Sequence, residues 1–441
     1  MPRLLLLTTT TGYQAQQFRD AAERAGFPLV LASNNCHALE DPWRDGALPI
    51  HFHQPKASAA KIREFASRHA IDGVIAIGDA PTMTAAVTAL ELGLRFHPPE
   101  AVEACRNKFV ARERYKAAGM RVPWYQRFKA HSDEHLAARA VPYPCVLKPL
   151  GLSASRGVIR ANKEAEFAEA FARIRRLLGD KDVKILREET TGWIQVESFI
   201  PGREFALEGL VTGGRLRVLA IFDKPDPLDG PHFEETIYVT PSRASDGEQR
   251  QLTVCAEQAV SALGLTDGPV HIELRLNDEG AWMLDIAARP IGGLCAGALR
   301  FGSHSHTSRR EGGVVATNVA ARCVGHPDAV SLEELILRHA AGEDVSGYSR
   351  ESCASGVMMI PIPHEGFYEG VEGSEEAERV PAIDHIEITA KYRQKLVPLP
   401  EGASYLGFIF ARAETPAEVE QALRDAHSML RFQISAAIPV L

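Results

Sequence analysis

Cysteine pairs are the first thing this 441-residue chain lacks. Its seven cysteines, Cys36, Cys105, Cys145, Cys255, Cys295, Cys323 and Cys353, are scattered, odd in number and never spaced Cys-x-x-Cys. Zinc sites and disulfide frameworks are therefore not expected. Long apolar runs are missing too. Leu4 to Leu7 is only four residues long and runs into threonines, so neither a signal sequence nor a membrane span is expected, and a reducing cytoplasm is the expected setting. Positive charge is not in excess. A net charge of -8 argues against nucleic acid or an acidic membrane surface as the main partner and points to small molecules. No Gly-x-Gly-x-x-Gly follows the first strand-like segment, which excludes the dinucleotide fingerprint there. There is no Gly-Lys-Ser/Thr, no Met-Lys-Met biotin-attachment site, no internal repeat and no low-complexity run.

What is present is an ordinary globular composition, 45% apolar and 24% charged, long enough for about three domains. Strand-like Arg3 to Thr10, a turn at Thr11-Gly12, a helix from Tyr13 to Ala25 closed by Gly26, and strands at Leu29 to Ala32 and Asp72 to Gly78 alternate with helices. That order predicts a small doubly wound parallel sheet. Pro98-Pro99 marks a boundary. A helix starts near Asn107-Lys108, and from Tyr143 the chain becomes strand-rich. The helix Lys163 to Leu178 carries Phe167, Phe171, Ile174 and Leu178 at helical spacing, with Gly179 as its stop. Residues 301 to 330 read as a polar loop. Beyond it, a helix from Leu332, strands near Gly356, Ile383 and Tyr405, and a helix from Pro416 predict an α+β tail.

The densest chemistry lies between His271 and Ile286. Val270, Ile272, Leu274 and Leu276 alternate with His271, Glu273 and Arg275, giving a strand with one apolar and one ionic face. A three-residue loop of Asp278, Glu279 and Gly280 then places Glu273 directly opposite Asp285. Opposed Cβ atoms lie roughly 4.5–5.5 Å apart, where like charges destabilise, so a cation is expected between them. Hard oxygen donors suit Mg²⁺, whose shell is completed by water and substrate phosphates. The hairpin thus predicts a nucleotide-phosphate enzyme.

Other residues fit that chemistry with alternatives left open. Lys148 ends a short apolar strand and is followed by Pro149 to Gly157, a loop whose amides, with Ser153 and Ser155, can cover phosphates or can simply turn the chain. Lys108 alone reads as a surface lysine. Glu197 and Glu204, on a glycine-containing connection, either grip ribose and an adenine edge or are solvated loop charges. Arg289, four residues beyond Asp285 and followed by Gly292-Gly293, can clamp a phosphoryl group while the glycines let backbone approach substrate; the alternative is an ion pair with Glu273 or Asp285. His271 either supports the site or is a satisfied histidine. His304 and His306 lack the further spaced ligands a metal needs.

Taken together, these residues resemble the ATP-grasp superfamily and, within it, the carboxylate-amine ligases that include L-amino acid ligases and carnosine synthase. The likeness runs over essentially the whole chain and is specific in the order of its motifs. Asn107-Lys108 and Val146-Leu147-Lys148-Pro149 are similar to the family's two phosphate-contacting lysines, Gly151 to Gly157 to its phosphate flap, and Glu197 to Glu204, including Ser198 and Ile200, to its nucleotide hinge. Glu273 and Asp285 match its magnesium acids. Phe222 to Pro227 and Gly230 to Thr236 resemble the segment bordering the substrate site. Two departures stand out: Ala287 replaces a side-chain oxygen donor, and Asp285 is one methylene shorter than glutamate. The resemblance implies a doubly wound N-terminal domain over 1–105, an ATP-grasp small lobe over 106–205, a large lobe over 206–345 and an α+β portion over 346–441. It implies ATP, with Mg²⁺ or Mn²⁺ in its place, and a carboxylate joined to an amine through an acyl phosphate. It also implies homodimerisation. The alternatives are a carboxylase or purine-pathway ligase of the same superfamily, and an ATP-binding sensor without turnover.

Overall fold

A computed structural model describes residues 1–9, 14–34, 47–184, 189–303 and 329–436. The turn expected at Thr11-Gly12 and the polar stretch holding His304 and His306 lie outside the described residues.

The N-terminal sheet is parallel, with strands in the order Ala47–Pro49, Leu29–Ser33, Leu4–Thr8 and Gly73–Ile77. Its central strand is buried on both faces, as the unbroken leucine run requires. The two faces feed different cores. Leu5 and Leu7 pack into a cluster that includes Leu207, Ile272 and Leu274, whereas Leu4 and Leu6 join Phe18, Leu210 and Phe408. The N-terminal sheet therefore shares its apolar interior with the rest of the chain. The helix Ala15–Ala25 closes at Gly26, whose φ of 77° lets its amide reach back to Ala22 and Glu23.

The small lobe is a four-stranded antiparallel sheet in the order Tyr125–Lys129, Trp193–Ser198, Cys145–Pro149, Ile159–Ala161. The helix Glu164–Leu178 lays Phe167, Phe171 and Ile174 on it, all fully buried. The large sheet has eight antiparallel strands: Gly280–Ala287, Gly268–Asn277, Arg203–Thr212, Arg215–Asp223, Ile237–Thr240, Ala354–Ile360, Gly407–Ala413 and Ile383–Ile388. The last three come from the C-terminal portion, so that portion extends the large-lobe sheet. Among the described residues no helix is long and apolar enough to cross a membrane. Cys353 is disulfide-bonded, against the expectation of uniformly reduced cysteines, while Cys105, Cys145, Cys255 and Cys295 are free thiols.

The acidic hairpin has the expected pairing by a different route. Asp278-Glu279 is a two-residue turn, with Asn277 opposite Gly280, and a bulge between Glu273 and Leu274 then shifts the register by one. The bulge, rather than a three-residue loop, sets Glu273 opposite Asp285. Val270, Ile272, Leu274 and Leu276 enter the core as their alternation requires.

His97 ties the first domain to this hairpin. Its Nδ1 accepts from the Thr266 amide at 3.2 Å, which leaves the proton on Nε2 to be donated to the Pro269 carbonyl at 3.2 Å. Burial holds the ring's pKa down at about 4, from an ordinary value near 6.5. The unfolded chain therefore binds more protons in that interval. His97 leaves stability intact above pH 6.5 and lowers it as pH falls towards 4, by about 1.4 kcal/mol per pH unit. Denaturant midpoints across this interval should fall more steeply for the wild type than for His97→Asn.

Candidate active site

A cavity of about 250 Å³ lies where all parts of the chain meet. Asp79 reaches it from the N-terminal domain, Lys148 and Gly151 to Ser155 from the small lobe, Glu273 and Asp285 from the large lobe, and Met359 and Tyr405 from the C-terminal strands. Of the residues singled out from sequence, Lys108, Lys148, Ser153, Ser155, Glu197, Ser198, Ile200, Glu204, Glu273, Asp285 and Arg289 all line it. Gly157 does not. It is buried under Pro149 and Leu177, where an added Cβ would come within 2.7 Å of Pro149 Cγ, so its glycine answers to packing and to a φ of 74°.

Lys148 stands at the end of the strand Cys145–Pro149, opposite Gln195 in the register. Its ammonium donates to Glu197 Oε2 at 2.7 Å. Glu197 also accepts from Arg112 at 2.8 and 3.1 Å and from Gln195 at 2.6 Å. Burial works against its charge, but Arg112 and Lys148 outweigh burial and hold its carboxyl well below the usual range. Burial conversely pushes the Lys148 pKa down, with Glu197 opposing. Glu197 thus faces protein partners and aims the lysine. Lys108, one residue past the Asn107 N-cap, donates to the Leu152 carbonyl at 3.0 Å and sits 3.4 Å from Asp285. It bridges the flap and the acidic hairpin. The flap is left-handed at Ala154 and Ser155, with φ of 55° and 54°, a conformation residues with a Cβ adopt only under local constraint.

The acids have a buried cation that sequence reading left without a role. Lys224 donates to Glu204 at 2.8 Å and to Glu235, and lies 3.8 Å from Glu273. Burial alone would discharge it, but the three carboxylates keep its pKa well above the ordinary value. Glu204 also accepts from Arg275 at 2.9 Å, and Arg275 takes the Ile200 carbonyl at 2.6 Å, so that hinge carbonyl is engaged within the protein. His271 resolves as a supporting residue. Its Nδ1 is 3.0 Å from Glu208 and its Nε2 3.8 Å from Glu273. Burial opposes its charge, yet the two carboxylates lift its pKa to about 9. Carboxylate oxygens of Glu204, Glu235 and Glu273 lie within 4.8 Å of one another, and Asp285 faces Glu273 across the hairpin. The hard oxygens of the three glutamates fit a divalent ion.

Arg289 pairs with neither Glu273 nor Asp285. It donates through Nε and Nη2 to both oxygens of Asp79, at 2.9 and 3.0 Å, a bidentate fork reaching into the first domain. Burial raises the Asp79 pKa but Arg289 more than reverses this, leaving it at about 2. Asp79 follows Gly78 at the carboxyl end of a parallel strand, where open sheets place ligand residues; that position was its only sequence signal. Gly293, expected to admit substrate, has a φ of 59° and would bring a Cβ within 2.9 Å of the Phe408 ring. With Gly292 it lines the cavity, and it also packs closely against the C-terminal strands.

Three family models match the chain: the ATP-grasp N-terminal domain over 19–95, the ATP-grasp domain over 141–298, and the L-amino acid ligase C-terminal domain 2 over 358–435. Dapdiamide A synthase of Enterobacter agglomerans is 26% identical over 74% of this chain and 71% of its own length. Alanine–anticapsin ligase of Bacillus subtilis is 28% identical over 53% of this chain, and the match spans about half of that relative. The crystal structure of an L-amino acid ligase from Bacillus licheniformis superposes with a TM-score of 0.78, at 26% identity, over 98% of this chain and 99% of the other. With these likenesses in every part of the chain and acids, lysines and flap gathered on one cavity, the protein belongs to the ATP-grasp superfamily, in its carboxylate-amine ligase branch.

Proposed function

We propose that the protein joins the carboxylate of an amino acid to an amine through an acyl phosphate, converting ATP to ADP and phosphate. One observation carries this reading: two ammonium groups, a guanidinium, a flap of backbone amides and two opposed acids line a single cavity. Phosphoryl transfer depends on positioning and charge neutralisation and needs no protein nucleophile. The cavity's thiols, Cys105 and Cys295, are pushed up by burial and stay protonated, so neither supplies a thiolate.

In this reading Lys108 and Lys148 hold the nucleotide's phosphates, with Glu197 keeping Lys148 aimed. The amides from Gly151 to Ser155, with the Ser153 and Ser155 hydroxyls, close over them. Ser198 and Ile200 border the base, and Glu204, whose oxygens keep lone pairs beyond those used by Lys224 and Arg275, faces the ribose. Glu273 and Asp285 fit Mg²⁺, or Mn²⁺ in its place, which when bound would neutralise phosphate charge; Ala287 adds no side-chain donor. Arg289, held flat by Asp79, meets the charge that grows on the transferred group. Phe233, Met359 and Tyr405 offer an apolar wall for a substrate side chain.

Lys148→Ala and Glu273→Gln should each lower ADP release by roughly 100-fold or more, with the fold retained by circular dichroism. Glu197→Ala should behave differently. It strips the partner from buried Arg112 and Lys148 and should lower the unfolding free energy by roughly 3–5 kcal/mol, read from denaturant melts. Substrate class is tested by phosphate release over a matrix of carboxylates and amines, with mass detection of the amide. Stimulation by amino-acid pairs with a matching condensed product is expected; ATP turnover that no carboxylate stimulates would overturn the ligase reading.

A further inference from the structure

The phosphate flap is fastened to the C-terminal portion. The Gly157 amide donates to the Pro400 carbonyl at 2.7 Å, and Arg156 Nε donates to the Glu401 carbonyl at 2.7 Å. The Glu401 carboxylate then reaches the small-lobe helix, where Arg173 donates to both its oxygens at 2.5 and 2.8 Å. One glutamate thus holds the flap through its backbone and the lobe behind the flap through its side chain. The turn that carries it is stiff. The Gly402 amide donates to the Pro398 carbonyl at 2.9 Å, and a Cβ on Gly402 would come within 1.8 Å of the Val397 carbonyl oxygen. Further along the same turn Tyr405 lines the cavity, packed edge-on against Phe408. The strand leaving the flap has a second attachment: the Arg160 amide and guanidinium donate to the carbonyls of Pro231 at 2.9 Å and Asp229 at 2.8 Å. That connection leads to Phe233 and Glu235, which also line the cavity.

We infer that Glu401 is a positioning residue that locks the phosphate flap to the loop carrying Tyr405, so that closure over the nucleotide and order at the Tyr405 wall of the cavity occur together. This inference rests on the ligase reading. Its chemical consequence is protection of the acyl phosphate. With the flap loosened, water adds to the acyl carbon, the bond from that carbon to the phosphate oxygen breaks, and carboxylate, phosphate and a proton leave with no amide formed. ATP is then consumed without product.

The test compares Glu401→Gln and Arg173→Met with the wild type, using a carboxylate and amine pair that the wild type condenses. Both side chains are partly exposed, 35% and 40%, so both variants should fold, with melting temperature as the control. The readout is ADP released per amide formed, together with KM for ATP. Both variants should raise the ratio roughly tenfold and raise KM for ATP, while the charge-exchanged double variant, Arg173→Glu with Glu401→Arg, should bring the ratio back towards the wild type. A ratio unchanged in both single variants, or a double variant no better than either, would overturn the inference. A wild type that condenses no pair would instead overturn the ligase reading itself.

Discussion

A buried ammonium makes the acidic corner of this cavity possible. Glu204, Glu235 and Glu273 bring carboxylate oxygens within 4.8 Å of one another, and Lys224, almost fully enclosed, sits among them. Lys224 opposes the burial that disfavours charge on Glu235 and Glu273. The lysine is itself fixed at its root. Asp223, ending the strand Arg215–Asp223, accepts from the Ser242 hydroxyl and from the amide and side chain of Arg243. Buried ion pairs contribute little net stability, but removing one member leaves the other stranded. The cluster therefore fixes position more than it adds stability.

The same rule governs the other charges of the site. Lys148 is matched by Glu197, Lys108 by Asp285 and Arg289 by Asp79, and in each case the partner comes from a different strand or domain. Arg289 and Asp79 are 210 positions apart. The partners of Lys108 and Arg289 meet them only once the domains are docked, and the docking is apolar: the two faces of the strand Leu4–Thr8 belong to cores shared with the large lobe and the C-terminal strands. Hydrophobic burial assembles the frame, and the ion pairs then set its polar interior.

Much of this was legible in local pattern. Two-residue alternation from Val270 to Leu276 announced the hairpin, the unbroken leucine run announced a doubly covered parallel strand, and helical spacing announced the face carrying Phe167, Phe171 and Ile174. Capping boxes at Ser245 with Glu248 and Thr415 with Glu418 mark helix starts in plain sequence. What escaped was non-local. The bulge after Glu273 is visible only in the pairing, where it compensates for a shorter turn than expected. Asp79, Glu235 and Arg112 look like ordinary surface charges until the fold supplies Arg289, Lys224 and Glu197 as neighbours. Gly293 lines the cavity, yet Phe408, distant in sequence, also fills the space where its Cβ would lie, and at Gly157, expected in the phosphate flap, Leu177 does the same.

The eight-stranded sheet bears on how such proteins can be recombined. The matched C-terminal family domain begins at residue 358, inside the strand Ala354–Ile360, which pairs through Ser355 to Met358 with Ile237–Thr240 on one side and along its length with Gly407–Ala413 on the other. A chimera cut at that border would split a central strand and bare unpaired amides and carbonyls on both halves, an invitation to edge-to-edge association. Exchange of the C-terminal portion between relatives is mechanically sound only where the crossover spares that strand, so the interchangeable unit is larger than the sequence-defined module.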